Sequence, residues 1–196
     1  MPVGDGGVDV QEGDGPTSIL LVCTANQCRS PMAEVLVRRR LPAVDVGSAG
    51  VLGLAGRPAA GGAVRSMATF GLDLAHHRSR PLDDDEVAAA DLVLAMARMH
   101  VREIVVRVPA ALGTTFTLKE LVRLAESAGP RPAGEPLSSW LAGLRPGRRA
   151  AALLGDDPAD DVADPVGLRQ SRFDACALEL ADLVERMALT LFPEAT

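Results

Sequence analysis

Tyrosine is absent from the 196-residue chain, and beyond four phenylalanines its aromatic side chains come down to one tryptophan, Trp140. Few side chains are therefore on hand to stack against an aromatic ligand. Cysteine is scarce as well. Cys23, Cys28 and Cys176 are too few for a disulfide framework and point to a reducing, cytoplasmic setting. No apolar run approaches the ~18 residues that a membrane-crossing helix needs. The Gly-rich, acidic N-terminus has neither the basic start nor the apolar stretch of a signal peptide. An excess of positive charge is missing too. At a formal net charge of −6 nothing favours nucleic acid or a membrane surface as partner, and Arg38-Arg39-Arg40 and Arg148-Arg149 read as solvated charges. What remains is 47% apolar and 23% charged residues, the composition of one globular domain with a substantial core and an open oligomeric state.

The richest stretch is Ile19-Leu20-Leu21-Val22-Cys23-Thr24-Ala25-Asn26-Gln27-Cys28-Arg29-Ser30-Pro31, an apolar run ending on a cysteine with an arginine six positions later. It reads as a buried strand that delivers a thiolate, Cys23, into a small oxyanion-binding loop. A helix then starts at Ser30 or Pro31: serine caps well, and proline is favoured at the first helical position. Met32, Val35, Leu36 and Arg39 continue at helical spacing. Backbone N–H groups of the loop and the helix N-terminus would face one bound anion, a setting that favours the thiolate. Arg29 suits phosphate esters, because a guanidinium grips two oxygens while sulfur attacks phosphorus. The competing reading is a core cysteine at a strand end.

Along the chain, residues 1–17 are Gly- and acid-rich and are expected to be a disordered tail. Strands are expected at 19–23, 44–47, 91–96 and 114–116, and helices at 31–40, 59–70, from 83, 98–106, 118–126 and 171–191. Residues 127–149 read as a long surface loop, with one helical turn near 138–142. Alternating short strands and helices imply an α/β fold, a single doubly wound domain over residues 18–196 with a parallel sheet covered on both faces. Ligands in such sheets sit beyond the carboxyl ends of the strands, where the Cys23 loop emerges.

Cysteine phosphatase chemistry also needs an acid for the leaving oxygen and a base for water. Asp164, followed by Pro165 and Gly167, is the best candidate, against the plain reading of a turn residue. Asp156, Asp157, Asp160 and Asp161 compete with it, whereas Asp91 starts a strand and reads as structural. Asn26 can tie the loop backbone together, with Ser48 and His77 as candidate supports; a lone histidine is otherwise a surface or core residue. Cys28 is either a partner for a reversible disulfide with Cys23 or a second buried thiol.

Four landmarks in order, Cys23 to Pro31, Ser48-Ala49-Gly50, His77-Arg78-Ser79-Arg80 and Asp164-Pro165, resemble the low-molecular-weight protein tyrosine phosphatases over most of residues 18–192. The resemblance implies a four-stranded parallel sheet flanked by helices and a metal-free, cofactor-free phosphomonoesterase acting on phosphotyrosine in proteins through a phosphocysteine. It implies Cys23 as nucleophile, Arg29 as clamp, and Asp164 as acid then base. Thr24, Ala25, Gln27 and Cys28 complete the phosphate loop, Ser30 bonds the thiolate, and Asn26, Ser48 and His77 fix the loop.

Three departures stand out. Ala25 replaces a glycine at a position expected to need unusual dihedrals. Val166 follows Asp164-Pro165 where an aromatic is usual, and Leu52-Gly53-Leu54 follows the Ser-Ala-Gly landmark. The segment 127–149 looks like an insertion, and Trp140 within it is expected either to wall the pocket or to anchor the insertion. The alternatives are an arsenate reductase on the same fold, for which no cysteine lies between Cys28 and Cys176, and a non-catalytic phosphate-binding module.

Overall fold

The computed structural model describes residues 17–144 and 153–193. Apart from Thr17, the tail expected to be disordered lies outside the described residues, as do 145–149 of the expected insertion. Four parallel strands, β1 Ser18–Cys23, β2 Asp45–Gly50, β3 Leu92–Ala95 and β4 Thr115–Thr117, form one sheet in the order β2-β1-β3-β4. Parallel neighbours need crossovers, and helices supply them: α1 Arg29–Arg40, α2 Gly61–Thr69, α3 Asp84–Ala89, α4 Arg98–Arg107, α5 Leu118–Ala128, α6 Leu137–Gly143 and α7 Gln170–Leu191. A short 3-10 helix, Pro109–Gly113, links α4 to β4.

Strand alternation divides the core into two layers. Ile19, Leu21 and Cys23 of β1 join residues of α1, α2, α5 and α7 on one face, while Leu20 and Val22 join Val87 of α3 and Val101 and Ile104 of α4 on the other. Both faces are covered, which is why β1 and β3 read as continuous apolar runs. The chain leaves β1 toward β2 on one side and later fills β3 on the other, so the winding direction reverses at the carboxyl end of β1. Such a switch point leaves a crevice, and the Cys23 loop occupies it.

Three expectations need correction. β2 is not confined to residues 44–47: Ser48, Ala49 and Gly50 pair in register with Leu21, Val22 and Cys23. Serine, alanine and glycine are poor strand formers alone, but the edge of β1 supplies the ladder. The helix after the loop begins at Arg29 with Cys28 at the N-cap and no side-chain cap; Ser30, expected to cap it, lies inside the helix and spends its hydroxyl elsewhere.

The third correction concerns the segment expected as a long surface loop from 127: residues 129–136 are loop, but α5 extends through 128, and the expected turn near 138–142 is a two-turn helix packed into the core. α5 runs on to Ala128, Gly129 ends it at φ +87°, and α6 follows with Trp140, Leu141 and Leu144 buried. Arg131 fastens the intervening stretch to the C-terminal end of α7: its backbone N–H donates to the Thr190 carbonyl at 2.8 Å and its Nε to the Leu191 carbonyl at 2.7 Å. Along α7 that anchor lies about 20 Å from Cys176, at 1.5 Å per residue. Trp140 is 7% exposed and belongs to the main core cluster. It anchors the segment rather than walling a pocket, because burying so large an apolar ring is worth more than leaving it at a rim.

Candidate active site

β1 ends on Cys23 and α1 begins at Arg29, so five residues make the turn between sheet and helix. Asn26 alone among the described non-glycine residues has positive φ, at +54°. Asparagine tolerates that left-handed conformation, and Ala25 does not adopt it, so the methyl group at 25 carries no strain of the kind expected. Asn26 is fully buried, and its side-chain amide and its carbonyl all find partners. Its Nδ2 donates to Ser30 Oγ at 3.1 Å and Ser48 Oγ at 2.8 Å, its Oδ1 accepts the Arg80 N–H at 3.0 Å, and its carbonyl lies 2.7 Å from His77 Nε2. A carbonyl only accepts, so Nε2 of His77 carries the ring proton.

Proton counting gives this network a direction. Each serine hydroxyl accepts from Asn26 and has one proton left to give. Ser30 Oγ donates it to Cys23 Sγ at 3.0 Å, and Ser48 Oγ donates to the Glu34 carboxylate. Ser30 also lies 3.4 Å from the Ala49 carbonyl, a longer and weaker alternative. Glu34 was not apparent from sequence. At four residues from Arg38 it reads as half of an ordinary helix-surface ion pair, which it also is, at 2.7 Å.

Gly50 explains the Ser-Ala-Gly landmark in physical terms. A Cβ there would lie 2.8 Å from the Thr24 carbonyl oxygen and 2.9 Å from Asn26 N, both backbone atoms that cannot step aside. Gly50→Ala is expected to push the loop off Ser48 and cut kcat/KM on p-nitrophenyl phosphate by about 100-fold, the cost of a misplacement near 1 Å. Steady-state kinetics beside a melting curve would check it, and unchanged kinetics would disprove the close-approach argument.

Arg29 is 5% exposed and its guanidinium is held by three acceptors. Nη1 donates to the Val162 carbonyl at 3.2 Å, and Nη2 donates to Thr24 Oγ1 at 3.2 Å and to Asp164 Oδ2 at 2.6 Å. Its buried Nε has no partner. Asp164, 135 residues away in sequence, is thus brought over the loop, its side chain 44% exposed and its Oδ1 accepting the Val166 N–H at 3.1 Å. Gln27 is half-buried and its carbonyl accepts the Ala60 N–H at 2.7 Å, tying the loop to the start of α2.

All three thiols are free and buried. Burial, reinforced by neighbouring Cys176 and Asp164, pushes the Cys28 thiol up, and burial raises Cys176 to about 12, so both stay protonated at neutral pH. Cys28 in this structure is a second buried thiol, one of its two expected readings. Cys23 differs from both in receiving the Ser30 hydroxyl bond.

Three of the four competing acids, Asp157, Asp160 and Asp161, are engaged elsewhere. Arg98, the first residue of α4, donates its N–H to Asp161 Oδ1 at 2.7 Å and its side chain to Asp160 Oδ2 at 2.7 and 2.9 Å and Asp157 Oδ2 at 2.9 Å. Arg123 adds a bond to Asp160 Oδ1 at 2.9 Å, and Val162 N–H bonds the Met96 carbonyl at 2.8 Å. This cluster pins the loop that carries Asp164. Burial alone would raise the Asp160 carboxyl, but the bonds from Arg123 and Arg98 outweigh it and the net shift is downward. A carboxylate depressed in the folded state stabilises above its unfolded range and loses that contribution as pH falls through the folded value. Asp160→Asn should therefore lower Tm at pH 7, and the gap to wild type should narrow toward pH 3. A gap that is constant or widens in a pH series of melting curves would contradict this.

The model of the family described as low molecular weight phosphotyrosine protein phosphatase matches residues 18–129, which contain Cys23, Arg29, Ser48 and His77. The chain belongs to that family. Among curated relatives, the probable low molecular weight protein-tyrosine-phosphatase EpsP of Ralstonia solanacearum is 46% identical over 104 residues, 53% of this chain and 72% of the relative. The YwlE arginine phosphatase of Geobacillus stearothermophilus superposes with a TM-score of 0.69 at 35% identity, covering 91% of this chain and 95% of that one. A low molecular weight protein tyrosine phosphatase from T. tengcongensis gives 0.68 at 30% identity, covering 89% and 99%.

The four-stranded parallel sheet with helices on both faces is the fold of these low molecular weight phosphatases, as the sequence had led one to expect. Among the described residues, no group of three or more His, Cys, Asp or Glu side chains gathers as a metal site. Likewise none of their helices is long and apolar enough to cross a membrane.

Proposed function

We propose that this phosphatase hydrolyses phosphotyrosine in cytoplasmic proteins, with Cys23 as nucleophile, Arg29 as phosphoryl clamp and Asp164 as acid then base. The observation that carries the reading is the convergence on one loop of the Ser30-to-Cys23 hydrogen bond and the Arg29–Asp164 pair. In the first step the Cys23 thiolate attacks phosphorus, the bond to the ester oxygen breaks, and Asp164 gives that oxygen its proton. In the second, Asp164 as carboxylate takes a proton from water, which attacks the phosphocysteine and returns the thiolate and inorganic phosphate. Loop N–H groups and Arg29 carry the charge that develops on the phosphoryl oxygens. Asn26, Ser48 and His77 hold the loop, and Ser30 stabilises sulfur both as thiolate and as leaving group. The relatives and superposed structures are phosphatases, which supports a hydrolase over an arsenate reductase or a non-catalytic module.

A second reading rests on the rim. Val166, Leu52 and Leu54 are 55%, 71% and 62% exposed, so aliphatic side chains stand where an aromatic pair would sandwich a phenyl ring. The likeness to an arginine phosphatase fits such a rim, which makes phosphoarginine the alternative substrate. Kinetics on matched phosphotyrosine and phosphoarginine peptides separate the two. A kcat/KM at least tenfold higher on phosphotyrosine supports the first reading, and the reverse ratio replaces it with the second.

A further inference from the structure

The chemistry above leaves one buried titratable side chain unused. His100, on α4, has no exposed surface; its Nε2 lies 2.9 Å from Thr24 Oγ1, and its Nδ1 has no partner. A buried histidine with a single hydrogen bond, aimed at a loop of this kind, calls for an explanation beyond packing. Thr24 Oγ1 is also the atom that accepts from Arg29 Nη2. The threonine therefore bridges α4 to the guanidinium.

Hydrogen-bond arithmetic on Arg29 shows what the bridge is for. Nη2 has two protons: one goes to Thr24 and the other to Asp164. Nε has one, and it is unpartnered. A guanidinium can grip a tetrahedral oxyanion with a side-on fork of Nε and one Nη2 proton, and if Thr24 keeps its Nη2 proton, the one left for that fork is the one bound to Asp164 in the free enzyme. An acid that protonates a leaving group must let go of Arg29 at that moment. The guanidinium then keeps only Val162 O on Nη1 and Thr24 on Nη2 among these protein acceptors. Without the threonine bond the fork is free to swing about the Nη1 contact just when its alignment matters most.

We infer that Thr24, fixed by His100, is a positioning residue that keeps the Arg29 guanidinium aligned with the phosphoryl group after Asp164 has released it. Burial, with help from Arg29 and Arg102, holds the imidazole at about 3, so His100 is neutral under assay conditions and serves as a fixed hydrogen-bond partner rather than a proton carrier. With a neutral ring, either Nε2–H donates to Thr24 or the hydroxyl donates to Nε2. In both tautomers a lone pair of Oγ1 stays with Arg29.

The inference rests on Arg29 being the phosphoryl clamp, and its test reads binding as well as turnover. Thr24→Val removes the hydroxyl at nearly constant shape. It should weaken binding of inorganic phosphate, followed by calorimetry, and lower kcat/KM on p-nitrophenyl phosphate, each by about 10- to 100-fold, the weight of one hydrogen bond to a charged group. Thr24→Ser should restore most of both. The dependence of kcat on leaving-group basicity should stay as in wild type, because Asp164 still carries its proton. His100→Gln should move both measurements the same way by a smaller factor, and adding it to Thr24→Val should cost nothing further, since the two act as one unit.

Phosphate affinity unchanged in a folded Thr24→Val protein would overturn the inference. So would a Thr24→Ser protein as impaired as Thr24→Val, or losses that multiply in the double variant. The threonine pair decides the matter if His100→Gln does not fold. A wild type that binds phosphate but hydrolyses no ester would sink the phosphatase mechanism while the binding measurements still judged Thr24.

Discussion

Cys23→Ser leaves a folded protein that still binds phosphate and has lost at least about 10^4-fold in kcat/KM on any phosphomonoester, the scale on which removing a covalent nucleophile acts. The expectation follows from what the loop does to sulfur specifically. Cys23 is 3% exposed, so no bulk water screens it, and the Ser30 proton aimed at Sγ from 3.0 Å stabilises an anion there. A serine oxygen at that place would keep its own proton, and it would be a poor leaving group in the second step. Because Asn26, Ser48, His77 and Arg29 make their contacts without Cys23, the anion site should survive the change. Phosphate binding by calorimetry and turnover of p-nitrophenyl phosphate are the two measurements. Turnover that persists in Cys23→Ser would refute the phosphocysteine route.

How far the sequence alone leads depends on whether a feature is local. β1 and the loop after it are legible because a continuous apolar run, a cysteine and a helix-start signal fall within thirteen residues, and each is a property of neighbouring side chains. The second half of β2 is not, because Ser48-Ala49-Gly50 becomes strand only by pairing with β1. Its glycine has a reason that no window shows: the Asn26 backbone passes where a Cβ would sit.

Asp164 reads better as a plain turn residue, from its local sequence, until the chain brings it to Arg29, 135 residues away. Its rivals Asp157, Asp160 and Asp161 are set apart only by tertiary partners, Arg98 and Arg123, which arrive from two other helices. His100 and Glu34 are polar residues among other polar and charged residues on their helices, where the bland reading is nearly always right. Trp140 shows the converse error. A rare aromatic next to an unusual segment invites a functional role, but the physics of burial puts it in the core.

Asp164→Ala should separate the two jobs of this carboxylate by moving two measurements in opposite directions. Turnover of phenyl phosphate, whose leaving oxygen needs a proton, should fall by about 10^2- to 10^4-fold. Turnover of p-nitrophenyl phosphate, whose leaving group departs as a stable anion, should fall much less. Inorganic phosphate, in contrast, should bind more tightly. In the free enzyme Asp164 Oδ2 holds Arg29 Nη2 at 2.6 Å, so an incoming phosphoryl group must displace it and also approach its negative charge. The Asp164 side chain is 44% exposed, which keeps the pair in the range of solvent-screened contacts, so the gain in phosphate affinity should be no more than about fivefold. Phosphate that binds more weakly to Asp164→Ala would mean that the carboxylate organises the anion site rather than competing for it. Equal losses on phenyl and p-nitrophenyl phosphate would move the acid to another group. Asp157, Asp160 and Asp161, bound to Arg98 and Arg123, are poorly placed to take over, because serving a leaving group would require them to abandon the contacts that hold the Asp164 loop in place.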